Sequence, residues 1–218
     1  MEIGTFCRFS LRFCAVTMIS ALSEAVVEGD ALVLTPEAGA ALGAKRAVVS
    51  IRAEEGAEAI YRLGLAVDSL GVDPALATAA GLGATVEAVA LDATVTLSAP
   101  LDRHAGQTRP ALRVLDLTEA RVLWGDLKVF AKGAFAPDDL GFAAGEISVR
   151  VENWRLLPPL LVAAGVIAPG FEPSLTRGLE IMAAQGEDPE VLVVPLVAKG
   201  GRMSFGPLPL GSAFVMGE

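Results

Sequence analysis

Histidine and cysteine are nearly absent: one His and two Cys in 218 residues. Transition-metal centres draw on those side chains, so little raw material exists for one. Positive charge is also short, with 17 Lys and Arg against 26 Asp and Glu and a formal net charge of −9. Such a surface repels phosphate backbones and argues against general nucleic-acid binding. Several motifs are missing too. There is no G-x-x-x-x-G-K-[ST] phosphate loop, no H-E-x-x-H, no EF-hand loop and no G-x-S-x-G elbow. Gly81-Leu82-Gly83 begins like a dinucleotide loop but lacks the third glycine and a βαβ setting. No apolar run approaches the ~20 residues that cross a bilayer. The two best candidates are Phe13–Leu22 and Leu156–Ala168, and the second contains Pro158 and Pro159. No charge run, Ser/Pro-rich linker or fixed-period repeat divides the chain, so one domain is expected over residues 26–212, with 213–218 as a tail.

What remains is aliphatic. Hydrophobic residues make up 53% and charged residues 20%, with 37 Ala, 29 Leu and 23 Val against only 12 aromatics. That composition excludes disorder for most of the chain. The patterning is mainly of period two. Ala59, Tyr61, Leu63, Leu65 and Val67 alternate with Ile60, Arg62, Gly64, Ala66 and Asp68. The same alternation marks Val89–Leu97 and Glu146–Glu152, and further strands are expected at 26–34, 46–53, 112–123, 126–136, 190–197 and 202–205. Trp124-Gly125-Asp126, Pro137–Gly141 and Lys199-Gly200-Gly201 supply turn chemistry, making 112–152 a three-stranded meander and 190–205 a closing hairpin. Gly125 and Gly200 sit where a hairpin calls for positive φ. Helices are few. One starts near Trp154 behind Asn153 as N-cap, and a second covers Pro173–Ala184 with Leu175, Leu179 and Met182 inward. A short one is expected at Pro74–Ala80.

The first 25 residues differ from the rest. Arg8 and Arg12 precede the run Phe13–Leu22, and Ser23-Glu24-Ala25 resembles a cleavage site. The segment reads as a signal-like leader, a misassigned start or an ordinary buried first element. Cys7 and Cys14, seven apart, would lie about 10 Å apart on a helix, too far for a disulfide.

Candidate chemistry is thin. His104 stands in the polar loop Leu101–Gln107 with no Ser or Cys context beside it and reads as a solvated loop residue. Asp138 and Asp139 are turn formers before they are acid/base groups. Trp124 and Trp154, at strand ends, read as packing anchors whose indoles still reach water.

The second half carries a combination of motifs: Trp124-Gly125, Lys132-Gly133, Gly145-Glu146-Ile147, Asn153-Trp154 and Gly206-Pro207-Leu208-Pro209-Leu210-Gly211, with Ala99–Arg103 upstream. Over about residues 85–212 the chain resembles the alphaproteobacterial domain-of-unknown-function family 2125. The resemblance implies a membrane anchor or signal and a periplasmic or inner-membrane-associated location. If residues 1–25 are not a signal, the location is cytoplasmic. It supplies no catalytic residue and no ligand. At greater distance the chain resembles AsmA-like envelope proteins with curved apolar β-troughs, an analogy of fold alone.

The resulting expectation is a mainly β (α+β) protein. It would have a curved, strongly twisted antiparallel sheet of about nine strands and two helices packed near 154–185. It is expected to be non-enzymatic, with no cofactor and no metal, and to hold a lipid or other apolar ligand in a β-lined groove. The alternative is an interaction module whose apolar sheet face docks on an envelope partner or on a second copy. An enzyme built on carboxylates is the third reading. Phe130, Phe135, Phe142 and Trp154 are the candidate ligand or interface residues, large apolar groups on the best-matched strands.

Overall fold

A computed structural model describes residues 10–18, 22–34, 42–103 and 110–216. The expectation placed on His104 lies outside them. The strands are β1 (Ser10–Met18), β2 (Leu22–Leu34), β3 (Leu42–Ala53), β4 (Ile60–Gly71), β5 (Thr85–Leu97) and β6 (Leu112–Trp124). They continue as β7 (Leu127–Pro137), β8 (Ala143–Glu152), β9 (Val191–Lys199), β10 (Arg202–Phe205) and β11 (Leu208–Ser212). All eleven lie in one sheet in strict chain order, each pair antiparallel, so the architecture is an open meander. The nine expected strands are present. The two additions are β1, inside the segment read as a signal-like start, and β11, inside the Gly206–Gly211 motif.

The pairing register sorts side chains onto two faces, because directly opposed residues point the same way. On one face a single row runs Val27, Val49, Leu65, Leu91, Ala120, Ala131, Val149, Val194 from β2 to β9. The neighbouring rows, from Ala25 to Leu196 and from Gly29 to Leu192, are equally free of polar side chains. The other face carries ion pairs: Arg52 with Glu24, Arg46 with Glu28, Arg62 with Asp92 and Lys128 with Glu152 across strands, and Arg150 with Glu152 along β8. Period-two alternation in the sequence is thus one apolar sheet face and one charged one.

Three helices cover only part of the apolar face. Helix α1 (Pro74–Ala79) begins at Asp73, whose carboxylate accepts from the Ala75 N–H. It packs Ala77 against Val86 and Trp124. A 3₁₀ turn, Trp154–Leu156, leads into α2 (Leu157–Ala163), which stops at Gly165 with φ +71°. Helix α3 (Glu172–Ala183) turns Leu175, Leu179 and Ala183 inward, with Arg177 and Glu180 exposed. Together α2 and α3 bury Leu127, Val151, Leu192 and Val194. A second core, around Phe135, Ile147 and Ala143, is closed by Ala213 and Met216 of the C-terminal segment. Among the described residues none of β2 or β3 joins a core cluster, and Val27 and Val49 remain 37% and 50% exposed, whereas in β4 Tyr61 is buried and Leu70 packs beside α1.

Asn153 does not cap a helix with its side chain. It takes the left-handed conformation, φ 55°, and its amide donates instead to the Asp126 carbonyl in the β6–β7 turn. The left-handed bend redirects the chain from β8 into the helices. The tryptophans also differ from expectation: Trp124 and Trp154 are 5% and 0% exposed. Their indole N–H groups donate to the Gly83 and Pro189 carbonyls rather than to water.

Candidate functional site

The four aromatic candidates do not form one site. Phe135 is buried, edge-on to Phe214 with ring centroids 5.9 Å apart. Trp154 is the centre of the helix-covered core, with the Arg155 guanidinium 4.8 Å above its ring. Phe142 packs on the second core. Phe130 lies on the charged face, opposite Arg150 in register and beneath its guanidinium. Large side chains gain most from burial, so three of the four pack against the protein itself.

The feature that could take a ligand is made of smaller residues. A partly open groove of about 350 Å³ lies where α2 meets the sheet. Its floor is Val129, Val149, Val151 and Leu196 of β7–β9. One wall is Leu157, Leu161 and Val166, from α2 and the turn after it. The other wall is Phe205, Leu208 and Leu210 of the β10–β11 hairpin. No polar side chain lines it. Each wall has a local cause. Pro158 and Pro159 set the first turn of α2, where missing N–H groups cost nothing. Gly206, at φ +53°, lets the hairpin fold tightly over Val194, since a Cβ there would lie 2.7 Å from the valine methyl. At a few hundred Å³ and wholly apolar, the groove is within the range of small-molecule sites but has no group to orient a polar substrate.

The other concavities are chemically different. One on β2–β5 is ringed by Glu24, Arg52, Arg62 and Asp92, whose charges are paired with each other. Hydrogen bonding from Arg62 holds the Asp92 carboxyl below the ordinary range, and Arg150 does the same for Glu152. These are solvated ladder contacts. Another, beside Phe130, includes Lys132, Ser148 and Arg150 where a bulge interrupts β6. Among the described residues no three His, Cys, Asp or Glu side chains gather as a metal site. Among the same residues no helix is long and apolar enough to cross a membrane.

A β-lined groove was expected, but its lining residues were not legible in the sequence because its walls come from three distant segments, each contributing only Val, Leu or Phe. A usable signal was the run of polar-free inward positions continuing past what two short helices can cover.

A family model described as an uncharacterized protein conserved in bacteria (DUF2125) matches residues 10–213. No curated protein and no solved structure matches the chain. The match takes in every strand from β1 to β11 and all three helices, beyond the 85–212 region where the motifs lie, and the chain therefore belongs to the DUF2125 family.

Proposed function

We propose that this is a non-enzymatic protein of the cell envelope that binds a lipid or similar apolar ligand in the groove between α2, β7–β9 and the β10–β11 hairpin. The observation that carries the reading is a groove of about 350 Å³ lined only by apolar side chains. Water gains no hydrogen bond from such walls, while a hydrocarbon chain gains contact with every one of them. The envelope setting rests on the motif resemblance, and fractionation of cells carrying a tagged chain checks it.

The test is solvent extraction of the purified protein followed by mass spectrometry, paired with displacement of a fluorescent fatty acid. A co-purifying lipid and saturable displacement are expected. Val166 is 57% exposed yet lines the groove, so Val166→Asp brings charge to the wall with little cost to the fold. It is expected to weaken binding at least tenfold. Absence of both lipid and displacement in the parent protein removes the reading.

The interaction-module reading is favoured by one specific observation, the exposure of Val27 and Val49 on the uncovered end of the apolar face. Light scattering across a concentration series decides it: growth in mass that Val49→Lys abolishes supports docking through that face.

A further inference from the structure

We propose that the groove is the closed end of a longer furrow, and that its ligand is a single unbranched acyl chain lying across the strands from beneath α2 to β5. The inference rests on the lipid-binding reading above and specifies its ligand. The argument starts from register. Val149, on the groove floor, is opposed by Ala131, which is opposed by Ala120, which is opposed by Leu91. All four are partly exposed and pack along the flank of the second core, so the apolar floor continues beyond the edge of α2. Both sides of this row are built up. On one side Val122 and Val89 pack into the cluster of Trp124 and α1. On the other, Leu117 and Ile147 belong to the core closed by Met216. The two middle residues of the row are alanines, the smallest side chains on it.

The chemistry then selects the occupant and its direction. The groove under α2 offers no polar side chain, so it takes the methyl end, and the polar end lies outward along the row. From β8 to β5 is three strand spacings, about 14 Å, which an extended chain crosses and a compact apolar molecule does not. A branched or fused-ring ligand gains nothing from a one-row furrow. An acyl chain gains contact with each added methylene.

Saturated fatty acids from decanoate to stearate, titrated into the full chain, test this. Affinity is expected to rise about fourfold per methylene across the whole series. Ala120→Phe raises the furrow floor one strand beyond the groove walls. It is expected to cut stearate affinity at least tenfold while changing decanoate less than twofold. A variant-free measurement uses two photoreactive stearates. A diazirine at the methyl end is expected to label residues 157–166 or 205–210, and one beside the carboxylate to label 85–97 or 112–124. If affinity levels off once the groove is filled, or both probes label only the groove walls, the furrow is refuted while the groove stands. If no fatty acid binds at all, the lipid reading itself fails.

Discussion

At the scale of single residues, the motif glycines are backbone requirements. Gly133 and Gly145 have φ of +144° and +139° and face each other's strands at closest approach. A Cβ on Gly133 would lie 2.2 Å from the Glu146 carbonyl oxygen, and one on Gly145 would lie 2.2 Å from that of Ala134. Either Gly→Ala change is expected to cost at least about 3 kcal/mol, through strain and overpacking together. In a domain of this size that is a fall of roughly 6–12 °C in Tm. Gly83→Ala, with open space around it, is the matched control and should melt with the parent. Gly125 and Gly200 do adopt positive φ, +55° and +56°, so Val at either strains the turn by about 1–2 kcal/mol. Trp154→Phe removes the donor to Pro189 and is expected to cost about 1–2 kcal/mol, and Trp154→Ala about 3–5. Turn glycines were legible because sequence flanks them with turn partners. Gly133 and Gly145 were not, because they lie inside strands, where only the spacing to a neighbouring backbone reveals the need.

At the scale of elements, legibility followed period. The meander from Leu112 to Glu152 was readable because apolar and polar residues alternate and Gly or Pro marks each reversal. Strand β11 was not, since Pro209 and Gly211 break the alternation and suit an edge strand. The lining of the groove escaped because burial of aromatics and lining by aliphatics look alike in sequence. On the charged face, the ion-pair ladders give a pH dependence of definite sign. Asp92 and Glu152 ionise more readily in the fold, each held by an arginine hydrogen bond. Their stabilisation is therefore fully present above the ordinary carboxylate range and is lost as pH falls through the lowered values. Thermal melts between about pH 6 and pH 3 should show stability dropping at the acid end, less steeply in Asp92→Asn. The pairs are solvated, so the difference shrinks with added salt.

At the scale of the whole molecule, cover is uneven. Strands β7–β9 lie beneath α2, α3 and the C-terminal segment, while among the described residues none of β2 or β3 joins a core cluster. Amide hydrogen exchange should be slowest in β7–β9 and fastest in β1, β2, β10 and β11, the outer strands of the sheet. Uniform protection across the sheet would contradict the idea that helix packing anchors one end.

Strict chain order also governs how the family can vary in length. Every strand is bonded only to its predecessor and successor, so any hairpin can be duplicated or lost without rethreading the rest. A two-strand insertion widens the sheet by about 9.6 Å and returns the chain to the same direction, with its oily side still facing the helices. A one-strand change reverses everything downstream. Relatives should therefore differ by strand pairs, added at the uncovered end, and the reach of the apolar surface would grow in steps of one hairpin.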